Sequence, residues 1–209
     1  PVNFAQAPFY LTVWAFVRGR QSSRRAWDVA TGALWGVTFL AHTAPALVFG
    51  VMAVAAAVVD VRRGDGARVE VRTAAIRLAV MVILALAVSS PLLATVVGHY
   101  GLRTLHKQPG MYTAPLLARE LPTLVWQHLS AAMFVATVGA ATLWRQRPSA
   151  VRLVVFTWLL AAGLYLVLAY ALLAGRLLAG WALTTPVPSF HFFFYIKAAG
   201  AVLFGVGIT

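Results

Sequence analysis

The stretch that decides the fold is Trp27-Asp-Val-Ala-Thr-Gly-Ala-Leu-Trp-Gly-Val-Thr-Phe-Leu-Ala-His42-Thr-Ala-Pro45, which continues as an apolar run to Val59. As one helix it would be ~50 Å long, far more than the ~30 Å hydrocarbon core of a bilayer. Arg18, Arg20, Arg24 and Arg25 precede it, and Arg62, Arg63, Arg68, Arg72 and Arg77 follow it. Short basic loops stay on the cytoplasmic side, so both flanks belong there and the run crosses an even number of times or not at all. The reading is therefore a hairpin of two short helices, 27–41 and 44–59, each ~21–25 Å long, with its turn below the far headgroups. Pro45 suits the first turn of the second helix, where its missing N–H costs nothing. Gly32 and Gly36 form a GxxxG step through which another helix can approach closely.

Outward from this hairpin, the same logic orders the rest. An apolar helix over 2–17 precedes the first basic loop, and helices follow over 73–97, 123–144, 153–174 and 190–209. A polar outer segment, 98–122, separates the helices at 73–97 and 123–144; its mix of apolar, aromatic and basic residues suits an interface. The whole is read as a single transmembrane domain over 1–209. Its fold class is all-α: a polytopic transmembrane helical bundle with a short broken-helix hairpin. The chain opens at Pro1 and stops within an apolar run at Thr209, so further helices are expected beyond both ends.

Composition agrees. Of 209 residues, 61% are hydrophobic and 11% charged, against about 25% charged in soluble domains. So much apolar surface requires lipid as solvent. The net charge of +12 invites a nucleic-acid partner. However, the basic residues lie in short loops between apolar runs rather than along one face, so no nucleic acid is expected and membrane lipids are the partners. Twelve of the 17 Lys and Arg fall on the cytoplasmic side, and five (Arg103, Lys107, Arg119, Arg176, Lys197) fall outside. All five histidines, His42, His99, His106, His128 and His191, then fall toward the outer half, although the assignment used only Lys and Arg. The membrane is read as a plasma (inner) membrane.

The candidate binding residues follow from cost. His42 sits at the hairpin tip, where an ionisable group must face a cavity or a partner. It either donates to a phosphate or sugar hydroxyl, or its ring caps the helix break. In Phe190-His-Phe-Phe-Phe-Tyr-Ile-Lys197, the aromatics mark an interface and Lys197 lies ~10 Å deeper. Lys197 either snorkels outward or binds an anion inside the protein, and an anion or carboxylate partner is favoured. His191, six residues earlier, is not squarely on its face. Arg103, His106, Lys107 and Arg119 form an outer basic set able to hold a phosphate or to anchor on headgroups, and Arg119 can also pair with Glu120.

The acidic inventory limits the chemistry. Asp28, Asp60, Asp65 and Glu70 fall on the cytoplasmic side and only Glu120 outside, so two carboxylates cannot meet at the outer face of this chain. The absence of cysteine removes thiolate chemistry and Cys-based metal sites. Histidine spacing supplies no zinc pattern, and no phosphate-loop, dinucleotide, nucleophile-elbow or zinc-protease motif occurs. No metal ligand is therefore assigned.

The run Thr31-Gly-Ala-Leu-Trp-Gly-Val-Thr-Phe-Leu-Ala-His42-Thr-Ala-Pro-Ala-Leu47 resembles the paired short helices of the GT-C superfamily of membrane glycosyltransferases. The segment Pro186-Val-Pro-Ser-Phe-His-Phe-Phe-Phe-Tyr195 resembles a late outer loop and the start of the following helix in some of these enzymes. The resemblance covers about half of the chain. It implies inverting transfer of a sugar from a polyprenyl-phosphate donor, a lipid-linked partner, to an extracytoplasmic acceptor of the cell envelope. It places the catalytic Asp or Glu in a first outer loop, expected before Pro1, so no catalytic residue is assigned here. No cofactor is implied within this chain, and a divalent metal is an option for the full-length protein. Donor-phosphate recognition is what carries over, to His42, His191 or Lys197. Two other classes stay open: a transporter or flippase for a lipid-linked or anionic substrate, and a non-catalytic membrane scaffold subunit.

Overall fold

A computed structural model describes residues 2–22, 24–63, 68–100, 122, 123, 126, 131–180 and 190–208. Among them the regular structure is helical throughout: α1 (Val2–Ser22), α2 (Arg25–Ala41), α3 (Thr43–Arg63), α4 (Arg68–Tyr100), α5 (Ala131–Arg145), α6 (Ala150–Ala179) and α7 (Phe190–Gly207). The all-α class is thus as expected. Where the sequence reading took one domain over 1–209, residue contacts cluster into two compact units. Unit 1 comprises Pro1–Leu102 and Pro148–Ala161; unit 2 comprises Arg103–Arg147 and Ala162–Thr209.

Three helices are long and apolar enough to cross a membrane: Thr43–Arg62, Val71–His99 and Ala150–Leu172, with mean hydropathies of 2.2, 2.5 and 2.2. Helices close every backbone hydrogen bond within one segment, which lipid demands. The chain is a helical integral membrane protein. The helices of the hairpin are longer than expected. α3 has 21 residues, ~31 Å, and α2 has 17, ~26 Å.

Unit 1 is built around α2, which packs most extensively on α4 and α1. The GxxxG step explains the first contact. A Cβ at Gly32 would lie 2.7 Å from the Met81 carbonyl oxygen, and one at Gly36 would lie 2.6 Å from Val88 Cβ. Only glycine lets the α4 backbone come this close. On the α1 side, Thr12 and Thr38 hydroxyls meet at 2.9 Å in the buried interior, and each also reaches a carbonyl of its own helix, Pro8 and Leu34. Two protons serve three contacts, so one hydroxyl donates across the seam while the other donates within its helix. Aromatic edges fill the remaining space: Phe16 on Phe49 at 5.4 Å, and Phe9 on Trp158 of α6 at 5.0 Å.

Pro91 lies inside α4. Its missing N–H leaves the Ala87 carbonyl without its backbone donor. Ser90 Oγ donates to that carbonyl at 2.8 Å, so the helix continues.

In unit 2, α5 and α7 pack through glycines. A Cβ at Gly139 would sit 1.8 Å from the Leu203 carbonyl oxygen, and one at Gly207 would sit 2.6 Å from the Val135 carbonyl oxygen. The later part of α6 joins them through Tyr165, stacked on Phe192 at 5.2 Å, and Tyr170, edge-on to Phe193. α6 ends at Gly180, whose φ of 67° is the left-handed conformation that closes a helix.

Candidate functional site

One residue joins α2 to α3. His42 has extended backbone angles, φ −169° and ψ 133°, and its N–H donates to the Thr38 carbonyl, closing α2. Its Nδ1 accepts from the Ala44 N–H at 3.1 Å, capping the start of α3. Pro45 occupies the first turn of α3 and is fully buried, as its missing N–H permits. Trp35 Nε1 donates to the Ala46 carbonyl at 2.9 Å and fastens the two helices beside the joint. Of the two roles left open for His42, the geometry displays the cap. The group capped is the Ala44 amide N–H of α3 rather than the carbonyls expected for a capping ring. An Nδ1 that accepts a hydrogen bond leaves Nε2 as the donor of the neutral ring.

At the opposite end of unit 1, two ion pairs tie four helices. Arg77 of α4 donates from Nε to both Asp28 carboxylate oxygens at 3.1 and 3.0 Å, and from Nη2 to Oδ1 at 2.9 Å. The same Nη2 donates to the Gly19 carbonyl of α1 at 3.0 Å. Arg20 of α1 forks onto both oxygens of Asp60 of α3, with Nη1 to Oδ2 at 2.7 Å. Asp28 is buried, its side chain only 8% exposed. A carboxylate there must be paired to stay charged. These pairs were absent from the sequence reading, which treated Asp28 and Asp60 as cytoplasmic-side acids and Arg77 as a flanking base. Their separations of 49 and 40 residues leave no periodic signal.

Unit 2 holds the other described candidates, on α7. His191 is half-buried in the first turn, and Lys197 is half-buried two turns on. Around them α7 buries Phe192, Phe193, Tyr195 and Ala199. Both ion pairs among the described residues lie in unit 1. Lys197 makes no hydrogen bond or ion pair with any described residue. His99, at the end of α4, is exposed. Arg103, His106, Lys107 and Arg119 lie outside the described residues, as do His128 and Glu120. The structure therefore places His42 in unit 1 and His191 with Lys197 in unit 2. No group of three metal-ligating side chains occurs among the described residues.

What fold and geometry define is a polytopic helical membrane protein with a cation on one apolar helix that has no counter-charge among the described residues. Comparison with protein-family models, with curated proteins and with solved structures finds no match.

Proposed function

We propose that this chain is the donor-binding portion of a membrane glycosyltransferase, which passes a sugar from a polyprenyl-phosphate carrier to an acceptor outside the cytoplasm. The observation that carries the reading is Lys197. An ammonium group on an apolar helix, without a counter-charge among the described residues, calls for an anion from beyond them. A lipid phosphate supplies one at this depth, and its prenyl tail suits the aromatic flank of α7. When the acceptor oxygen attacks the anomeric carbon, the carrier phosphate departs with the bonding electrons, and a cation beside it stabilises that charge. His191 on the same helix is a second donor for the phosphate or the sugar. The base that takes the acceptor proton is assigned to a segment other than the described residues. In this reading the basic loops face the cytoplasm of a plasma membrane.

A transporter is favoured by one observation, the helix break at His42, since transporters bind cargo at broken helices. Here, however, Thr38, His42 and Ala44 satisfy one another across the break. These bonds support a structural role for the joint.

The test is binding of a polyprenyl monophosphate and of the matching neutral polyprenol to the purified chain in lipid nanodiscs. The phosphate should bind more tightly than the alcohol. Lys197→Gln should weaken it about tenfold, the scale of one lost charge-assisted hydrogen bond. Lys197→Arg should retain it, and His42→Asn should leave it unchanged. Equal binding of phosphate and alcohol, or an unaltered Lys197→Gln variant, would remove the basis of the reading.

A further inference from the structure

A cleft of about 310 Å³ opens between α3 and α4 of unit 1. Its walls are two apolar stripes, with Val54, Ala57 and Val61 on α3 facing Ala74, Ala75 and Leu78 on α4. The residues of each stripe recur at helical spacing, so each forms one continuous face. The alanines are why the cleft exists: three short side chains leave room where larger ones would interlock.

The cleft has a polar end and an apolar end. Arg62 is the one charged residue among those lining it, and it is exposed. Arg62 is also the last residue of the apolar span Thr43–Arg62, so it stands at the membrane boundary. From there to Val54 the cleft runs ~12 Å along α3 into the apolar span. Among the described residues no carboxylate pairs with Arg62. The nearby Asp60 is already held by Arg20. Arg72, beside the cleft residue Val71, adds a second exposed cation at the same end.

This shape and charge fit an amphiphile with an anionic head and one apolar chain. A bilayer presents such molecules directly to the cleft, and basic side chains at its surface select the anionic ones. We propose that the α3/α4 cleft holds an acyl chain of an anionic glycerophospholipid, with the lipid phosphate on the Arg62 guanidinium. This site lies in unit 1 and is independent of Lys197 in unit 2.

Native mass spectrometry tests it on the full chain, released from nanodiscs containing phosphatidylglycerol and phosphatidylcholine in equal amounts. One phosphatidylglycerol should stay bound, with several-fold preference over phosphatidylcholine. Arg62→Gln should abolish the preference. Ala74→Leu, which narrows the cleft and leaves every charge in place, should abolish retention of either lipid. That second variant decides the matter if Arg62→Gln fails to fold. Retention of both lipids in bilayer proportion would overturn the proposal. Displacement of the bound mass by inorganic phosphate alone, or phosphatidylglycerol retention untouched by Ala74→Leu, would do the same.

Discussion

Asp28 and Arg77 show what a single charge requires inside this fold. Asp28 is nearly fully buried, and Arg77 supplies three of its contacts while also bonding the Gly19 carbonyl. Removing one partner of a fully buried pair costs ~3–5 kcal/mol, because the other charge is left stranded. Arg77 keeps 30% of its side chain exposed, so Arg77→Ala should cost about 2–3 kcal/mol, discounted for solvent screening. The double variant Asp28→Leu/Arg77→Met should recover most of that loss, since no lone charge remains. Unfolding in detergent micelles measures both. A single variant within 0.5 kcal/mol of wild type, a margin common for surface changes, would refute the stranded-charge account. At this scale the sequence was partly legible. His42 was recognisable as a residue needing a polar partner, because ionisable groups at depth always do. That its partner is the Ala44 N–H depends on the dihedral angles of one joint, which no spacing rule encodes.

At the scale of elements, breaks were more legible than ends. The sequence reading split 27–59 at the His42 to Pro45 step, and α2 and α3 meet there. It stopped helices short of the flanking arginines, and the structure carries them into those residues. α3 runs on to Arg63, and α4 begins at Arg68 and ends at Tyr100 rather than covering 73–97. A charged residue ends a membrane span, but it does not end a ladder of backbone hydrogen bonds, and arginine is a good helix former. The glycine step at Gly32 and Gly36 was legible as a contact, whereas its partner face on α4 was not. The proline in α4 carries a testable consequence. Ser90→Ala should cost about 1 kcal/mol, because the Ala87 carbonyl then has no donor. In a Pro91→Ala background the backbone N–H returns, and the same change should cost almost nothing. Equal costs in the two backgrounds would show that Ser90 does not stand in for the missing amide.

For the whole molecule, composition alone made a membrane protein legible, because 61% hydrophobic residues leave no other solvent. The functional site was less so. Four of the seven candidate binding residues, Arg103, His106, Lys107 and Arg119, fall outside the described residues. The three others are split between two units. Orientation can be tested directly, since the chain has no native cysteine. Gln146→Cys, between α5 and α6, and His99→Cys, at the end of α4, are both exposed positions. With basic loops in the cytoplasm, an impermeant maleimide applied to intact cells should label the position 99 variant and spare the position 146 variant. The reverse pattern would invert the topology and with it the side on which Lys197 meets its ligand.

The one-residue joint at His42 also bears on how the chain is made. α2 is short, carries Asp28 in its first turn and is not among the helices long and apolar enough to cross a membrane by themselves. α3, immediately downstream, is. With a single residue between them, the longer helix should be complete before the shorter one has moved far from the translocation channel. The pair should therefore leave the channel sideways as one body, with α3 carrying α2 into the lipid.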